Sequence, residues 1–143
     1  MPIRRLLSAL MGLIALTGCG AASSGPTTTP VTGEVTLNGQ PVAGADVAFM
    51  PTVSGPDSAP AQAITDDTGR FEVVSLFDQG RTTRTGMLPG SYAVSVTQLE
   101  QVSSSARPPR NLLPEKYASP ESSELGAVVD SQGESHFKFE LTK

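Results

Sequence analysis

Val31-Thr-Gly-Glu-Val-Thr-Leu-Asn-Gly-Gln-Pro-Val-Ala-Gly-Ala-Asp-Val-Ala-Phe49 is the stretch that decides the fold. Val31, Gly33, Val35 and Leu37 occupy one phase of a two-residue repeat, and Thr32, Glu34 and Thr36 occupy the other, which is the pattern of a half-buried strand. Asn38-Gly39 then supplies the residue pair best suited to a tight hairpin turn with positive φ. Pro41 to Gly44 prolong the connection, and Ala45, Val47 and Phe49 resume the inward phase in a second strand over 45–51.

The same period continues downstream. A Pro/Gly/Ser-rich loop near 52–60 leads to a short strand over 61–65, and Asp66-Asp67-Thr68-Gly69 supplies another turn. Phe71, Val73 and Ser75 alternate with Glu72, Val74 and Leu76. Leu88-Pro89-Gly90 opens a strand over 91–97 with Tyr92, Val94 and Val96 inward. Strands over 125–129 and 135–141 close the series, the last with Phe137, Phe139 and Leu141 inward against His136, Lys138 and Glu140. No segment after residue 30 repeats apolar residues at helical spacing. Seven short strands broken by turn residues predict an all-β fold, a seven-stranded antiparallel sandwich with one core between two sheets.

The N-terminus follows a different grammar. Arg4-Arg5 precede an apolar run from Leu6 to Leu16, too short for the roughly 20 residues of a spanning helix and followed by small residues, as in an export signal. Leu16-Thr17-Gly18-Cys19 contains the one cysteine of the chain and resembles the lipobox of bacterial lipoproteins. That resemblance implies removal of residues 1–18, lipidation of Cys19 and attachment to a membrane, since two or three acyl chains suffice for stable anchoring. Gly20 stands where some bacteria use Asp for inner-membrane retention, so the outer membrane is favoured over the inner. Residues 19–30 hold no large apolar side chain and read as a lipidated cysteine with a flexible tether. Residues 31–143 form one domain.

Val31 to Phe49, together with Thr65-Asp-Asp-Thr-Gly-Arg-Phe71 and Leu88-Pro-Gly-Ser-Tyr92, resembles the carboxypeptidase regulatory-like domain. The resemblance implies a transthyretin-like, Ig-like sandwich. Leu113-Pro-Glu-Lys-Tyr117 is similar to a stretch found before the last hairpin in small lipoproteins of environmental bacteria that carry this domain. Leu113 and Tyr117 are expected to pin a long crossover onto the sandwich.

Charge and composition narrow the function classes. Loss of residues 1–18 removes two arginines and no acid, leaving 8 basic and 14 acidic side chains and a net charge of −6. Nucleic acid is thereby disfavoured as a partner. With a single cysteine assigned to the anchor, no intramolecular disulfide and no Cys/His zinc set is expected. The one histidine, His136, lacks the nucleophile motif of a serine hydrolase. Hydroxyisourate hydrolases share the transthyretin-like fold but use histidine-rich sites. No catalytic residue, metal or cofactor is expected, and Asp66 and Asp67 read as turn-forming rather than calcium-binding.

The expectation is therefore a non-enzymatic, lipid-anchored module of the cell envelope, structural or protein-binding. Its partners would be the membrane through the anchor, and another envelope protein or a glycan. The alternative is a ligand- or glycan-binding module that uses loops 77–86 and 98–124. Phe77, Arg81 and Arg84 in the first loop and Arg107 and Arg110 in the second are the candidate partner contacts, because arginine grips carboxylate and phosphate groups in a bidentate manner.

Overall fold

The computed structural model describes residues 25–103 and 106–143. The export signal, Cys19 and the first part of the tether lie outside the described residues. Among the described residues there are ten strands: β1 Val31–Leu37, β2 Gln40–Pro41, β3 Asp46–Pro51, β4 Ala61–Ile64, β5 Arg70–Glu72, β6 Val74–Phe77, β7 Thr82–Thr85, β8 Gly90–Thr97, β9 Leu125–Val129 and β10 Ser135–Leu141. They form two sheets. In the four-stranded sheet β1 pairs with β10 along one edge and with β5 and then β2 along the other, and the six-stranded sheet runs β7-β6-β4-β3-β8-β9.

The expected sandwich is present, with three differences in detail. The strand read over 71–76 is two strands in different sheets. Val73 is the corner: its amide donates to the Val31 carbonyl at 2.9 Å, and its carbonyl accepts from Gly86 at 2.7 Å. Gln40–Pro41 and Thr82–Thr85 are additional short strands, so the segment 77–86 is mostly the second limb of a hairpin rather than a free loop. Finally, β1 and β10 run parallel, from Val31 opposite Ser135 to Leu37 opposite Leu141, while the other strand pairs are antiparallel. A period of two is the same for either direction and either sheet, so alternation alone carries neither fact.

Inward phases fall as the sequence dictates. Val31, Val35, Ala45, Val47, Phe49, Val73, Val94 and Val96 are fully buried between the sheets. At the centre Phe49, Phe71 and Phe139 meet with ring centroids 6.1–6.2 Å apart, a spacing at which aromatic pairs add to simple area burial. Asn38 and Gly39, at φ 49° and 82°, close the β1–β2 hairpin, the two-residue turn that matches strand twist.

The body also takes in the end of the tether. The Thr28 hydroxyl donates to the Thr85 carbonyl at 2.7 Å, and Thr29 exchanges two 2.8 Å backbone bonds with Met87.

The long connection from β8 to β9 has its own order. Leu112 donates to Gln98 at 2.7 Å and Glu100 donates to Arg110 at 2.8 Å, so its first part is a short two-stranded arm. Its second part docks on the core as expected. Leu113 and Tyr117 are buried, and the Tyr117 hydroxyl accepts from the Thr142 amide at 3.0 Å. Among the described residues no helix is long and apolar enough to cross a membrane.

Candidate functional site

Strand register gives the sandwich two distinct ends. Val31, Ser135 and Gly86 lie at the end where the chain enters through Thr28 and Thr29, together with the 52–60, 77–81 and 130–134 connections. Leu37, Leu141 and Thr97 lie at the other, with the 65–69 turn and the 98–112 arm. Phe77, Arg81 and Arg84 are thus at the entry end, and Arg107 and Arg110 are at the distal end.

These candidates do not converge on one surface. Phe77 is half-buried and ends β6, opposite Thr82. Arg81 is exposed in the turn, and Arg84 lies half-buried against Gly25. Arg107 pairs with Glu100 at 3.0 Å. Arg110 points an exposed side chain from the arm. A ligand site built jointly from loops 77–86 and 98–124 therefore has no geometric basis.

The outer face of the four-stranded sheet is a charged grid. Across β10, β1 and β5 the rows read His136, Thr32, Glu72 and then Lys138, Glu34, Arg70. Lys138 reaches Glu34 at 2.8 Å, and Thr32 shares a hydrogen bond with His136 Nδ1 at 3.0 Å. The Lys138 hydrogen bond holds the Glu34 carboxyl below its ordinary value, and Glu34 in turn raises Lys138. Among the described residues no group of three or more His, Cys, Asp and Glu side chains is placed to hold a metal.

Asp66 is a turn-former, as its position before Gly69 implied. One carboxylate oxygen accepts from the Thr68 hydroxyl at 2.7 Å, the Thr68 amide at 2.8 Å and the Arg70 amide at 3.0 Å. The Thr68 hydroxyl bond, followed by the two amides, lowers its pKa. A depressed carboxylate contributes stability that is complete above its unfolded-state value and is lost as pH falls through the folded one. Asp66→Asn is accordingly expected to lower the melting temperature at pH 7, with the difference from the parent shrinking toward pH 2. Thermal melts across that range test it, and a pH-independent difference would contradict the assignment.

Sequence reasoning passed over the outer face of the six-stranded sheet. Its central positions are Ala48 and Met50 on β3, Ala93 and Ser95 on β8, and Gly126 and Val128 on β9. Asp46 at one end is the charged residue on these strands that shares the face. The small residues form the floor of a trough of about 590 Å³ walled by Met50 and Pro51 on one side and Pro120 and Glu121 on the other. Met50 is 46% exposed and Val128 71%. The available signal was compositional: the outward phase of β1 and β10 is polar and charged, whereas that of β3 and β8 is small and nearly uncharged.

The class these features define is an all-β sandwich domain with one charged and one nearly uncharged outer face. No protein-family profile matches the chain, and no curated protein matches it. Two solved structures align with the chain at low similarity. One is a DUF3823 family protein from Parabacteroides merdae, at 12% identity and a TM-score of 0.42, over 82% of this chain and 47% of that one. The chain thus spans about half the length of that protein. The other is a candidate carbohydrate binding protein from Pseudomonas aeruginosa, at 16% identity and a TM-score of 0.41, over 86% of this chain and 93% of that one.

Proposed function

We propose that the chain is a non-enzymatic interaction module of the cell envelope, a carboxypeptidase regulatory-like sandwich held to a membrane, the outer one by preference, through acylated Cys19. The observation that carries the interaction role is the outer face of β3, β8 and β9, with few charges, where Met50 and Val128 stand exposed beside the alanines and serine of the trough floor and Gly126 of β9. An exposed, contiguous face of this kind on a domain of net charge −6 fits a protein contact better than solvent, because ordinary outward strand phases carry charge.

The anchor reading is supported by the lipobox and by the way the chain enters the body. From Cys19 to Thr28 there are nine peptide steps, at most about 30 Å when extended. The body would therefore be held within about that distance of the lipid.

Two measurements test the two halves separately. Cys19→Ala is expected to move the protein from the membrane to the soluble fraction, and unchanged membrane association would refute the anchor. Met50 is exposed while Met87 is fully buried, so cells grown on a photoreactive methionine analogue should yield adducts of this protein through Met50. These should vanish in Met50→Leu. Adducts that persist in Met50→Leu, or none in the parent, would refute the contact face.

A further inference from the structure

We propose that the partner protein anchors itself to this domain with a lysine or arginine side chain, seated in the cleft between the 52–58 and 88–92 segments. The inference rests on the reading of the outer face of β3, β8 and β9 as a protein contact and adds the chemistry of the residue that the partner brings to it.

The cleft continues the trough. Pro51 lines both, and along the β3–β8 pair the trough's Met50 and Ala93 are followed at once by Pro51 opposite Tyr92. Its volume of about 360 Å³ is at the small end for ligand pockets, which suits one inserted group. The walls are set before anything binds. Pro51, Pro56 and Pro89 fix their own φ. The Thr52 amide and hydroxyl both donate to the Ser91 carbonyl, at 3.0 and 3.1 Å, which ties the first segment to the second. The Gly55 amide donates to the Ser58 hydroxyl at 2.8 Å, and that hydroxyl donates back to the Gly55 carbonyl at 2.9 Å. Walls already ordered lower the entropy that binding costs.

Lining chemistry selects the occupant. The three prolines and Val53, itself 76% exposed, offer apolar surface. Asp57 is the one ionised side chain of the lining, and the ion pairs among the described residues, Arg107 with Glu100 and Lys138 with Glu34, do not include it. A sugar is a poorer match. Tyr92 is buried and its hydroxyl donates to the Leu88 carbonyl at 2.8 Å, so no ring face is open for stacking, and the Thr52 and Ser58 hydroxyls already serve the loop. The surface that remains fits a long apolar stem ending in one positive charge, which is the form of a lysine or arginine side chain. A net charge of −6 on the domain favours the same sign in its partner.

The test uses the full-length chain, labelled with nitrogen-15 and solubilised from membranes in detergent. The probes are n-butylammonium and n-butylguanidinium, with n-butanol as their neutral counterpart. Both cations are expected to move the amide resonances of Gly55, Ser58, Gly90 and Ser91 and to bind about two- to fivefold more tightly than n-butanol, the range for an exposed ion pair. Asp57 is exposed, so Asp57→Asn should melt like the parent while bringing the three probes level. Equal binding of cations and alcohol to the parent, or shifts that miss these four amides, would overturn the proposal. The photoreactive-methionine adducts separate it from the reading beneath it. Adducts through Met50 should fall in Asp57→Asn. Undiminished adducts in that variant would overturn the cleft and leave the contact face standing, whereas no adducts in the parent would remove the face and the proposal with it.

Discussion

Phe49→Ala is expected to cost about 3–5 kcal/mol, the range for removing a buried aromatic ring. Phe49 is fully buried in β3, with Phe71 at 6.1 Å and Phe139 at 6.2 Å. The three rings come from both sheets, β3 on one side and β5 and β10 on the other, so the cavity would open where the layers meet. β3 is also hydrogen-bonded on both edges, to β4 and β8, which leaves little freedom to collapse into the space. Set against the roughly 5–15 kcal/mol that stabilises a domain of this size, that loss is a substantial share of the total. Urea denaturation should show a lower midpoint with an unchanged slope. A loss below about 1 kcal/mol would mean that the ring cluster is not the centre of the core.

Gly33→Ala carries the second large effect, and its sign is informative. In a strand, alanine for glycine normally stabilises by about 0.4–1 kcal/mol through the unfolded chain. Here the new Cβ would point inward, into the Phe71 ring and to 2.5 Å from the Phe137 carbonyl oxygen. Gly33 sits between Phe71 on one edge of β1 and Phe137 on the other, and that oxygen belongs to a paired strand and cannot rotate away. Overpacking of this kind costs about 1–3 kcal/mol, so the substitution should destabilise. Part of the penalty comes from the movable Phe71 ring. Combining Gly33→Ala with Phe71→Leu should therefore cost less than the sum of the two. Stabilisation by Gly33→Ala would show that β1 and β10 are not in the register described.

The strand phases were legible because each inward run in this chain is short, apolar and interrupted by turn chemistry at Asn38-Gly39, Asp66 to Gly69 and Pro89-Gly90. The change of sheet at Val73 was not, since Phe71, Val73 and Ser75 keep one phase across it and the corner is made by hydrogen bonds to Val31 and Gly86. The parallel partnership of β1 with β10 joins the first strand to the last, and no local pattern encodes it. For the same reason the arginine candidates could be found by composition but not placed. Whether Arg81 and Arg110 share an end depends on which strands pair, and the pairing sends them to opposite ends. The uncharged face was half visible. Ala48 and Met50, and Ala93 and Ser95, are plainly small or apolar at outward positions, but they become one surface only through the β3–β8 pairing.

The anchored sandwich is tested most directly by intact-mass analysis of the native protein extracted from membranes. The account predicts a chain that begins at Cys19 and carries a diacylglyceryl group on its sulfur. A soluble chain that carries no acyl mass would contradict it.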